Sequence, residues 1–270
     1  MYKKTFAKTS ATLSLLICSS TAMAVCEGLP AHAELKAALQ AAVAQPNGGF
    51  NLQMWATVVD RDGIVCAVTF SGADRGSQWP GSRVISAQKA NTANAFSLNG
   101  LALSTANLYS AVLPGGSLFG LQLSNPVDTT VAYAGSPALF GTASDPMRGR
   151  KIGGVNVFGG GLGLYDSNQK IIGGLGVSGD SACADHNIAW RVRNDLNLDH
   201  FGAFVGGVSG DAIRPDNIVY DIPLQPLSTT VNGAGNSAGG WGHPQCSAAA
   251  KSIATDNPAT NPSALPPVQP

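Results

Sequence analysis

Residues 159–193, GGGLGLYDSNQKIIGGLGVSGDSACADHNIAWRVR, contain two β-rich runs (162–165 and 171–177) around a polar turn at Asp166-Ser167-Asn168, then a Gly- and Pro-free stretch over 182–194. Asp, Ser and Asn bond their own backbone in tight turns, so the two runs read as a hairpin. Strands joined this closely pair antiparallel; a parallel pair needs a crossover of a dozen or more residues. A doubly wound parallel sheet is thereby excluded, and the last stretch reads as a helix leaving the second strand. At the junction stand Gly176, Ser178, Gly179, Asp180 and Ser181. Glycine lets a backbone approach a ligand closely, and a helix start presents unpaired N–H groups that suit a carboxylate or phosphate. These five residues are candidate binding residues for an anionic group.

Upstream, residues 32–44 (HAELKAALQAAVA) place Leu35, Ala38, Leu39 and Ala42 on one helical face, and Gln45-Pro46-Asn47-Gly48-Gly49 ends the helix. Residues 52–59 and 64–70 read as strands joined by Arg61-Asp62-Gly63, a second hairpin. An Ala-rich helix is expected over 86–96, starting at Ser82 or Ser86, another over 101–112, and a further strand over 155–158. Residues 114–151, rich in Gly, Pro and Ser, form a long excursion, and such segments in compact domains are often functional. The order of elements predicts an α/β (α+β) fold: an antiparallel sheet flanked by helices.

Three stretches together resemble the GlcG/HbpS family of haem-binding proteins: Val58-Val59-Asp60-Arg61-Asp62-Gly63, Gln88-Lys89-Ala90-Asn91-Thr92-Ala93, and the Gly176-Val177-Ser178-Gly179 strand end followed by Asp180 and the helical Ile188-Ala189. The resemblance spans roughly residues 35–194. It implies a profilin-like α/β/α sandwich with a five-stranded antiparallel sheet, a haem ligand, and symmetric homo-oligomers. It also implies that Lys89 and Thr92, one turn apart on one helix, border a pocket formed with the glycine-rich strand. It points to the first helix as the source of an iron ligand, which fits His32.

Lys3, Lys4 and Lys8, the apolar residues 11–17 and Ala22-Met23-Ala24 form the pattern of an export leader cleaved after Ala24. Its apolar run is too short to span a bilayer, which takes about 20 residues. The expected location is periplasmic or secreted. Whole-chain charge is balanced at 16 basic and 16 acidic residues; without the leader lysines it falls near −3, which offers no footprint for nucleic acid. Four cysteines follow the leader, an even number that favours disulfides in an oxidising compartment and allows three pairings. Cys183–Cys246 and Cys26–Cys66 are the expected pair. Residues 25–246 read as one domain with an extension from about 195, and the Ala-, Ser-, Asn- and Pro-rich residues 247–270 as a disordered or draped tail.

Other chemistries are weaker. The glycine cluster leads into a hairpin, whereas a dinucleotide loop needs a strand, the glycines and a helix in a parallel unit. Gly176-Val177-Ser178-Gly179 lacks nucleophile-elbow spacing. No C-x-x-C-H occurs, so haem would be held noncovalently. His32, His186, His200 and His243 are the available imidazoles, and His243 with Cys246 has metal-like spacing, although structural zinc takes four ligands. Three functions stay open: exported haem capture, buffering or sensing; an enzyme acting on haem or a small organic acid; and an oligomeric structural protein without a cofactor.

Overall fold

The computed structural model describes residues 25–222 and 237–270. The export leader and its cleavage site lie outside the described residues. Two hairpins form the sheet: β1 (Trp55–Asp60) with β2 (Val65–Phe70), and β3 (Gly161–Tyr165) with β4 (Ile171–Ser178), in the order β2-β1-β4-β3 and antiparallel throughout. Helix α1 (His32–Val43) precedes the sheet and α2 (Ser82–Phe96) joins its two halves. Short turns α3 (Leu121–Ser124) and α4 (Thr129–Ala132) lie in the excursion before β3, and α5 (Ala182–Asp195) and α6 (Ala248–Thr255) follow β4. The expected helix over 101–112 is two short 3-10 turns, Thr105–Leu108 and Ser110–Val112.

Side-chain alternation explains the layering. Ala56 and Val58 of β1, Leu162 and Leu164 of β3, and Leu175 and Val177 of β4 pack with Leu35 and Leu39 of α1 and Ile188 of α5. Trp55 and Val59 point the other way, toward Val84, Ala87 and Ala90 of α2. On that second face β3 and β4 carry glycine at alternate positions: Gly161 and Gly163, Gly174 and Gly176. A Cβ at Gly174 or Gly176 would overlap Ala90 O or Ser86 O of α2, and one at Gly161 would stand 2.7 Å from Lys89 O. The glycine face is therefore a bed for a helix backbone. Three layers result, α2, the sheet, then α1 with α5.

The sheet has four strands where the resemblance implies five. At the place beside β2 where a fifth would lie, only an isolated bridge forms: Val65 N donates to Arg150 O at 2.9 Å, and Ile64 pairs Lys151. Gly149, Gly153 and Gly154 take φ of 76°, 63° and 77°, which turns the chain off the extended path on both sides of that bridge. Residues 155–158, expected as a strand, likewise have no ladder partner.

Both disulfides form as expected, Cys26–Cys66 tying the N-terminal segment to β2 and Cys183–Cys246 tying α5 to the segment before α6. Of the two forms expected for the tail, disordered or draped, the described residues take the draped one, packed on the core. Residues 248–255 are α6, Leu265 is fully buried, and Trp190 Nε1 donates to Pro266 O at 2.9 Å. Arg214 Nη1 donates to Asp256 O and Leu265 O, so a guanidinium clamps the tail where composition offered no apolar periodicity. No helix among the described residues is long and apolar enough to cross a membrane.

Candidate functional site

The strand-to-helix junction is built as the sequence predicts, but its anion is the protein's own. Ser181 caps α5, its Oγ accepting from Ala184 N. The Asp180 carboxylate accepts from Phe50 N, Leu52 N and Ser181 N. Asp185, one turn into α5, reaches back so that its Oδ1 accepts from Asp180 N at 2.9 Å and Gly179 N at 3.2 Å. Lys89 of α2 completes the corner: its Nζ donates to Asp185 Oδ2 at 2.6 Å and to Val177 O at 3.1 Å. Lys89 is 1% exposed and Asp185 2%. Burial pushes the Asp185 carboxyl up and the Lys89 ammonium down, and their mutual attraction opposes both shifts.

Of the candidate residues, the fold thus gathers Lys89, Gly176, Ser178, Gly179, Asp180 and Ser181 around one corner and fills it. Gly176 lies against α2, and Ser178 is buried. Thr92 faces elsewhere, its Oγ1 donating to Gln88 O and accepting from Asn156 N, which pins the segment before β3 to α2. The Lys89–Asp185 pair holds α2 to α5, and Asp180 ties the start of α5 to the segment before β1.

His32 sits apart, at the first turn of α1. Its Nε2–H donates to Gly141 O at 2.8 Å, which leaves Nδ1 as the lone-pair nitrogen of the neutral ring. Gly141 packs on Phe70 and Trp55, and the next residue back, Phe140, opens onto a cavity of about 340 Å³. That cavity is walled by Trp55, Val84, Pro80, Tyr133, Pro137 and Phe140, with Arg75 at its edge. Arg83 forms one fixed side: it makes a two-pronged ion pair with buried Asp145, and its guanidinium lies 3.8 Å from the Phe140 ring centre. Arg75 is exposed and makes no salt bridge among the described residues.

An apolar cavity of this size with aromatic walls and a few cationic groups is the usual form of a small-molecule site. Its aromatic residues Tyr133 and Phe140 come from the 114–151 excursion, the segment whose length signalled function. The partners Trp55, Arg75 and Pro80 come from β1 and the loop before α2, and no motif links these pieces in sequence.

Similar solved structures include a PduOC:heme complex, at 23% identity and TM-score 0.43, covering 62% of this chain and 91% of that one. Protein ORFY of Klebsiella pneumoniae is 24% identical with TM-score 0.41, covering 61% of this chain and 86% of the other. HbpS is 16% identical with TM-score 0.37, covering 61% and 88%. The chain matches no curated protein. Residues 31–193, more than half of the 270-residue chain, match the family described as Haem degrading protein HbpS-like. By that match the chain belongs to the HbpS-like family.

Proposed function

We propose that the chain is an exported protein that binds haem noncovalently, for capture, buffering or sensing, in the Trp55–Tyr133–Phe140 cavity. The observation that carries this reading is that cavity's chemistry. Aromatic and proline walls suit the faces of a flat apolar macrocycle, and Arg75 at the edge suits a propionate. At about 340 Å³ the cavity lies near the lower end for ligand sites and would enclose only part of a haem. His32 does not line the cavity itself but bonds Gly141 O, next to Phe140, through its Nε2–H, and its Nδ1 would be the imidazole nitrogen offered to the iron. The leader-like N-terminus and two disulfides support export. Exposed Phe119, Leu123 and Phe204 offer apolar area for a homo-oligomer.

Hemin titration of the leaderless protein tests the reading. A saturable, shifted Soret band is expected, with His32→Ala altering its position while Arg75→Ala weakens binding. Absence of saturable binding overturns the function. An unchanged band in His32→Ala together with a lost band in Tyr133→Phe moves the iron ligand to tyrosine. Decay of the band with added reductant and release of iron would favour the enzymatic reading.

A further inference from the structure

We infer that Cys183, Cys246 and His243 form a redox-gated site for a soft or borderline divalent cation such as Zn²⁺, closed while the two sulfurs are bonded and opened when a dithiol reduces them. Both sulfurs and one ring nitrogen of His243 lie within 4.8 Å of one another. His243 is 3% exposed, and its Nδ1–H donates to Pro244 O at 2.7 Å. A carbonyl only accepts, so in the neutral ring Nε2 carries the lone pair. That Nε2 is buried and has no hydrogen-bond partner. Leaving a buried acceptor unpaired costs about 1–3 kcal/mol. One ring N–H on a backbone carbonyl and the other nitrogen bare is how metal-binding histidines are held.

The sulfurs are also set up for the task. Cys183 lies in the first turn of α5, where the helix N-terminus favours a thiolate. Cys246 is exposed, which gives a reductant access. The dithiol's thiolate attacks one sulfur of the bond, releasing the other as a thiolate; its second thiol then displaces the mixed disulfide. Two electrons and two protons pass to the protein sulfurs, and the reductant leaves as a cyclic disulfide. A divalent cation then replaces the two thiol protons, giving a Cys₂His set with a fourth position for water. In the other sulfur cluster, Cys26 and Cys66 beside Asp60, both carboxylate oxygens already accept, Oδ1 from Asp62 N and Ile64 N and Oδ2 from Cys26 N, so no donor atom is left bare. The inferred site shares no residue with the aromatic cavity.

The test is Co²⁺ uptake by the leaderless full chain, oxidised and after phosphine reduction and desalting without oxygen, read by absorption. The reduced protein is expected to bind about one Co²⁺ at this site, with tetrahedral d–d and sulfur charge-transfer bands, and the oxidised protein none. Cys246→Ser should abolish these bands, His243→Gln should weaken binding by at least about tenfold, and Cys66→Ser should leave the bands in place. Circular dichroism of the reduced protein confirms that the fold persists. Loss of fold on reduction, no uptake, or uptake that survives Cys246→Ser each overturns the inference.

Discussion

Gly176→Val is expected to lower stability by at least about 3 kcal/mol, or to prevent folding, in urea denaturation followed by circular dichroism. The side chain would enter the contact between β4 and α2, where the first added carbon overlaps the Ser86 carbonyl and stands 3.0 Å from Lys89 Cβ. Neither neighbour is the free end of a flexible chain, so relief requires α2 to lift from the sheet. That movement would also pull Lys89 from Asp185. The control is Gly81→Ala, which meets nothing within 4 Å and has an ordinary helical backbone (φ −64°, ψ −26°); it should leave the midpoint unchanged. A wild-type midpoint for Gly176→Val would mean that the glycine face does not seat α2.

Lys89→Met is expected to cost about 3–5 kcal/mol, the range for removing one partner of a buried pair and stranding the other charge. Asp185 would keep its two backbone donors, Gly179 N and Asp180 N, but lose the only ammonium within reach among the described residues. Adding Asp185→Asn to Lys89→Met should therefore recover about half of the loss or more, because an amide oxygen still accepts from those donors and no charge is left buried. A lysine lining a solvated ligand pocket would behave otherwise. Its removal would cost less than about 1 kcal/mol, and the second substitution would restore nothing.

These two sites show where reading the sequence succeeds and where it stops. The hairpin over 159–178 and the helix after it follow from turn chemistry and periodicity, which are local. The alternate glycines were equally visible, but glycine admits a ligand, a turn or a helix backbone for the same reason, the missing Cβ. Which of these approaches is decided by α2, about seventy to ninety residues upstream. Asp180 and Asp185 carry the same ambiguity, since an anion at a helix start and a site awaiting an anion both place acidic or small residues there. An even cysteine count made disulfides legible, and both expected pairs form. Composition alone does not choose between a disordered and a draped tail, because the tail's partners, Trp190 and Arg214, are distant side chains binding its carbonyls rather than an apolar stripe within it. The aromatic cavity, assembled from three separated segments, has no motif of its own, and only the length of the 114–151 excursion points toward it.

Hemin titration of Gly81→Trp, followed in the Soret region, tests the placement of the ligand most directly. Gly81 lines the aromatic cavity, and a side chain there starts in open space, so the indole fills the ligand's volume without straining the fold. An unchanged melting temperature and no saturable Soret shift are expected. Wild-type hemin affinity in this variant would contradict that placement, because the ligand would then bind somewhere other than between Trp55, Tyr133 and Phe140.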